Sequence, residues 1–166
     1  EFSRHRSCRT TAAHVSTAEA NLSAAESSDL PVDCFEFLVD GGANVCIFRS
    51  PRLIAAGIPT NVPPLAISGV SLAGGPIPAP VISITLQWIN CSSAVPLVWD
   101  LSGGATQAAH RNIICESGIW DLFNARALKE PEMLIEAHGI TIPLTRRNGL
   151  YFTVARLLTN DAGHSC

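Results

Sequence analysis

From position 32 the chain reads as short apolar runs broken repeatedly by glycine, proline and asparagine, the pattern of a protein built mostly from β-strands. The run Phe35-Glu36-Phe37-Leu38-Val39-Asp40 delivers a carboxylate into Gly41-Gly42-Ala43, and a second run, Val45-Cys46-Ile47-Phe48, leaves the turn. Such runs are buried strands. The two glycines allow positive φ and close approach to another chain or a ligand, and Ala43 is small enough to pack beneath the loop. Ser50-Pro51 opens a short helical or irregular turn. Leu65 to Trp88 predicts a hairpin tipped by Gly74-Gly75, whose second arm ends in a strand, Val81 to Trp88, with Ile82, Ile84, Leu86 and Trp88 on one face. Pro76, Pro78 and Pro80 at alternate positions keep the start of that arm out of a central sheet and suit an edge or a flap.

Val95 to Leu101 is a further strand entering Ser102-Gly103-Gly104-Ala105, read as a strand and turn. Asp100 there echoes the earlier aspartate, but the segment between the two is too short to make a second lobe with its own core. Ile113-Ile114 is a short buried strand that runs into a helix over Ser117 to Arg126, where Ile119, Trp120 and Phe123 fall at helical spacing. Ala137 to Leu144 and Arg146 to Phe152 predict two strands joined by a turn. The fold class that follows is mostly β: a small closed or partly closed barrel with one short α-helix.

The ends carry a different pattern. Residues 1–31 alternate Ala, Ser, Thr, Glu and Arg with almost no large apolar residue, too little to offset the entropy of ordering, so they read as a disordered linker. Asp29-Leu30-Pro31 marks the boundary, and one domain follows, over 32–153. With 47% hydrophobic residues and a mean hydropathy of +0.26, the 166-residue chain has ample material for one core.

Charge narrows the partners. A net charge of −3 with no basic run leaves no electrostatic footprint for nucleic acid, and no apolar stretch approaches a membrane span. The N-terminal stretch has no apolar core segment and is not a secretory signal. Six cysteines stand scattered without a Cys-x-x-Cys pair, four of them in apolar surroundings, which fits reduced thiols in a cytoplasmic setting. His5, Cys8 and His14, or His164 and Cys166, are too few to hold a metal; neither a metal nor a cofactor is expected.

Val39-Asp40-Gly41-Gly42-Ala43-Asn44-Val45 resembles the hydrophobic-Asp-Ser/Thr-Gly-Ala signature of retropepsins, the dimeric aspartic proteases of retroviruses and retrotransposons, and particularly those of copia-type elements. The likeness extends in order over roughly residues 34 to 153: aspartate turn, flap-like hairpin, the Asn112-Ile113-Ile114 strand with its helix, and the phrase Asn148-Gly149-Leu150-Tyr151, which commonly closes the protease region of such polyproteins. Residues 154–166 would then be a C-terminal tail or the start of the next polyprotein segment.

What the resemblance implies is an aspartic endopeptidase that cleaves its own Gag-Pol-type polyprotein, in the cytoplasm or in a virus-like particle. Its catalytic residue would be Asp40, its active-site loop Gly41, Gly42 and Ala43, and its flap and substrate-binding residues Ala73, Gly74, Gly75 and Pro76. Peptide hydrolysis by this route needs two carboxylates on one water, so one aspartate per chain implies a homodimer closing over an extended peptide or polyprotein substrate. The chain departs from the family at Gly41, where the family has Ser or Thr whose hydroxyl braces the two aspartate loops across the dimer. Two such bonds, at about 1 kcal/mol net each, would be missing, and restoring Ser or Thr there is expected to strengthen dimerisation and raise activity. The alternative is a catalytically weakened or inactive domain of the same descent, acting as a dimerisation or peptide-binding module.

Overall fold

The computed structural model describes residues 13–14, 29–68 and 75–159. The aspartate-bearing run forms β2 (Cys34–Asp40), and the run after the turn forms β3 (Cys46–Phe48). Both are buried on both faces: Phe37 and Val39 join one apolar cluster, and Leu38 joins another with Val45 and Ile47. A strand sunk on two sides needs a partner on each edge, and β2 has them, antiparallel with β14 (Leu150–Leu158) and parallel with β9 (Asn112–Cys115).

Following those edges closes a ring. β9 meets β3 through Ile47 and Ile113, and β3 runs parallel to β8 (Val98–Ala105). β8 pairs antiparallel with β7 (Val81–Trp88), and β7 with β14, which returns to β2. These six strands make a closed barrel, so none of them is left with an open edge inside the ring. Two short strands extend it, β4 (Ile58–Pro59) on β7 and β13 (Thr145–Arg147) on β14.

The predicted barrel is therefore present, with two helices among the described residues in place of the one expected. The additional helix, α1 (Pro51–Ala56), starts on Pro51, whose fixed φ suits the first helical turn, and buries Leu53. It is too short to show an apolar period in the sequence. The predicted helix is α2 (Glu116–Phe123), ended by Asn124 at φ 54°. Its Phe123 stacks on Trp99 at 4.2 Å, and Trp99 meets Trp88 edge-on at 5.1 Å, which ties the helix to β7 and β8 through aromatic contacts.

The hairpin arms are β5 (Leu65–Ser68) and β6 (Ile77–Ala79), with Pro78 in the outer strand of a small sheet, as the alternate prolines require. On the other edge of β5 lies β1 (Ala13–His14), a parallel pairing made by residues of the segment expected to be a linker.

Several boundaries differ from the sequence reading: the helix expected to reach Arg126 stops at Phe123, because Asn124 turns left-handed and Arg126 opens the next strand, and the strand expected from Val95 begins at Val98. Ser102-Gly103-Gly104-Ala105 is the end of β8 and not a turn. Its glycines are needed for close approach: a Cβ on Gly103 would lie 2.6 Å from the Cys46 carbonyl oxygen, and one on Gly104 would lie 2.7 Å from Cδ1 of Ile67. The segment after Ala125 holds β10 (Arg126–Leu128), β11 (Leu134–Ala137) and β12 (Ile140–Pro143), so His138-Gly139 and Asn148-Gly149 are two separate hairpin turns, each with both residues at positive φ. Finally, β14 runs past Thr153 to Leu158, because Ala155 to Leu158 still have β7 to pair with.

Candidate active site

Asp40 is the last residue of β2 and stands opposite Cys115, the last residue of β9. Two parallel strands thus end side by side, one entering the glycine turn and the other entering α2. The aspartate is buried, at 5% exposure. The reason is local: its side chain folds back so that Oδ1 accepts a hydrogen bond from the Gly42 N–H at 2.7 Å. Oδ2 is also buried and has no hydrogen-bond partner among the described residues. A buried polar atom without a protein partner is costly, and Trp88 Nε1 and Thr153 Oγ1 share that condition; what sets Asp40 apart is its place at a strand end before a glycine turn.

The floor of the turn is built by Cys115. Its thiol donates to the Ala43 carbonyl oxygen at 3.2 Å, and its sulfur accepts from the Gly118 N–H at 3.3 Å, which caps α2. Its own N–H reaches the Cys46 sulfur at 3.4 Å. Ala43 is buried over this floor, as its size suggested, whereas Gly41 and Gly42 are exposed. Neither glycine takes positive φ. Their use is space, not left-handed backbone.

Asn112 fixes the other end of the same strand pair. Its Oδ1 accepts from the Arg49 N–H at 2.8 Å and the Ser50 N–H at 3.0 Å, and its Nδ2 donates to Ser50 Oγ at 2.9 Å and the Glu36 carbonyl oxygen at 3.3 Å. One buried amide therefore joins β2, β9 and the start of α1, satisfying donors that the chain would otherwise bury unpaired. Its role was not legible from spacing, because its partners lie 62 or more residues away.

Beside Gly41 lies a pair that the sequence also did not disclose. Glu116, in the first turn of α2, accepts from Lys129 Nζ at 3.0 Å, and the lysine stands over the Tyr151 ring at 5.6 Å. A Cβ on Gly41 would fall 2.6 Å from Glu116 Oε2. The volume of the missing side chain is already taken, which changes the outlook for Gly41→Ser: the added group must displace the Glu116 carboxylate before it can brace anything.

Of the expected flap residues, Ala73 and Gly74 lie outside the described residues. Gly75, at φ 81°, and Pro76 are exposed at the start of the second arm. Leu65, Ile67 and Ala79 of the arms share one apolar cluster with Ala43. Asp100 does not belong with it. It is an exposed residue within β8, and its Oδ1 accepts from the Thr85 hydroxyl on the neighbouring strand at 2.6 Å.

Among the described residues no group of three metal-ligating side chains occurs, and no helix is long and apolar enough to cross a membrane. Cys34, Cys46, Cys91 and Cys115 are present as thiols. A cavity of about 100 Å³ is lined by Glu36, Asn90, Thr145 and Thr153 among others, and its lining does not include the aspartate turn. No protein-family model, curated protein or solved structure matches the chain.

Proposed function

We propose that this domain is an aspartic endopeptidase of the retropepsin kind, cleaving the polyprotein to which it belongs as a homodimer. One observation carries the reading: Asp40 is buried at the end of a barrel strand with Oδ1 held by the Gly42 N–H and Oδ2 without a donor. The closed barrel supports it by fixing the strand end from which the carboxylate projects. So does the hairpin, whose arms pack in the cluster that holds Ala43, on the loop beside Asp40.

In this mechanism two copies bring their Asp40 side chains to one water. Like charges in contact repel, so the reaction uses the pair with one proton between the two carboxylates. The ionised carboxylate takes a proton from the water as its oxygen attacks the scissile carbonyl carbon. The protonated one gives its proton to the carbonyl oxygen, forming a diol; the first carboxylate then passes the proton it took from water to the leaving amine as the C–N bond breaks, and a diol hydroxyl returns a proton to the second. No metal or cofactor enters the chemistry.

A second reading is favoured by Gly41, which has no hydroxyl to offer across a dimer: a domain of this kind retained for self-association or peptide binding without cleavage. A pepstatin-sensitive peptide cleavage assay between about pH 4 and 6 separates the readings. Cleavage lost in Asp40→Asn supports the endopeptidase. Absence of cleavage in the native dimer supports the binding module.

A further inference from the structure

The ion pair on the helix side of the aspartate turn has no part in the reaction just described. Asp40 and Cys115 are register partners on parallel strands, so the residues that follow them, Gly41 and Glu116, leave the barrel side by side. Glu116 enters α2 within its first turn, where the N-terminal end of a helix favours negative charge. Its side chain is about three-quarters covered, with 24% exposure, and Lys129, at 38%, closes the pair at 3.0 Å. The carboxylate oxygen Oε2 that receives this bond is also the atom lying 2.6 Å from the Cβ position of residue 41. A real Cβ does not sit that close, so with a side chain at 41 the carboxylate must move; it is the far end of a flexible side chain, and the Lys129 bond is what holds it in place. Glycine at 41 and the Glu116–Lys129 pair are thus one arrangement: a side chain at 41 and the carboxylate at its present place exclude each other.

We propose that Glu116 is a positioning residue for Asp40. Anchored by Lys129 and seated on Gly41, its carboxylate holds the turn from the helix side and takes over the bracing that a side chain at position 41 would otherwise supply. The turn it holds is the one whose Gly42 N–H fixes Asp40 Oδ1, so a shift at Gly41 is felt at the next residue by the bond that orients the aspartate. Lys129 completes the device because its amine also lies 3.9 Å from the Cβ position of residue 41, between the glycine turn and the Tyr151 ring. The consequence for cleavage rests on the endopeptidase reading; the seating of Glu116 does not.

The test is a mutant cycle on the intact chain with two independent readouts. Backbone amide exchange at Gly42, followed by NMR, reports the turn without reference to activity, and steady-state cleavage of a peptide reports catalysis. Gly41→Ala and Glu116→Ala should each speed Gly42 exchange by about 3- to 30-fold, and the double variant should show no more than the larger single effect, because both remove the same contact. Lys129→Met should reproduce the Glu116→Ala effect, and Lys129→Arg, which keeps the ion pair, should restore the native rate. In cleavage the same variants should lose kcat with KM nearly unchanged, the signature of a misplaced reacting group.

Gly42 exchange that is the same in all variants, or effects of Gly41→Ala and Glu116→Ala that simply multiply, overturn the proposal whatever the cleavage assay shows. Coupled exchange together with no cleavage in any protein, the native one included, overturns the endopeptidase reading and leaves Glu116 as the brace of the turn.

Discussion

The two oxygens of Asp40 have unequal surroundings, and that inequality sets what substitution there can do. Asp40→Asn keeps an oxygen to accept the Gly42 N–H, so the fold should survive within about 1 kcal/mol, while cleavage should be abolished because an amide cannot act as base. Urea unfolding beside the peptide assay checks both halves, and residual cleavage in that variant counts against the assignment. Asp100→Asn, at an exposed strand position bonded to Thr85, should leave cleavage at the native level. The neighbouring position behaves less simply. The resemblance alone leads to Gly41→Ser as a gain in self-association, but with Glu116 seated there the gain should be absent in the native background. It should emerge in Gly41→Ser combined with Glu116→Ala, where the hydroxyl has room. Sedimentation equilibrium of the two proteins decides it, and stronger association of the single variant would show that Glu116 yields without cost.

Between elements, the buried contacts are few in kind and long in sequence separation. Asn112 is the clearest case, since four hydrogen bonds to Glu36, Arg49 and Ser50 hang on one side chain. Asn112→Ala should cost about 2–4 kcal/mol, because two backbone N–H groups lose their acceptor and a small cavity is left. A fall in the urea midpoint at unchanged slope is the expected record, and a change below about 0.5 kcal/mol would mean that water takes over the bonds. Glu36 and Arg147 join β2 to β13 by two bonds of 2.7 and 2.6 Å, and the same guanidinium lies 4.1 Å from the centre of the Phe152 ring. That bidentate pair holds the edge strand against the barrel.

For the molecule as a whole, closure of the ring depends on one strand. β14 pairs with β2 through Phe152 to Arg156 and with β7 through Ala155 to Leu158, so its last residues are the seam of the barrel. A chain ending at Thr153 should fail to give a dispersed amide spectrum or a cooperative thermal transition, whereas one ending at Thr159 should unfold like the full chain. Cooperative folding of the shorter chain would place the seam elsewhere. The barrel also explains why Asp40 is held so firmly: the strand end that bears it is paired on both edges, and the loop after it is floored by Cys115.

Local order is written in the pattern of neighbouring residues. Alternation and β-branched runs between Gly and Pro turns dictate a β fold; helical spacing of Ile119 and Phe123 places α2; alternate prolines confine β6 to an edge. The Asp40 turn was legible for the same reason, since a carboxylate between two buried strands and two glycines is unusual within a few adjacent residues. Contacts between residues far apart along the chain emerge only once it is folded. Asn112 with Ser50, Glu116 with Lys129, and β14 with β7 leave no periodic trace, because a hydrogen bond or ion pair needs one partner at one place and does not repeat. Glu116 on Gly41 belongs with these: the glycine was visible as an absence of a side chain, and only the fold shows which atom fills the space.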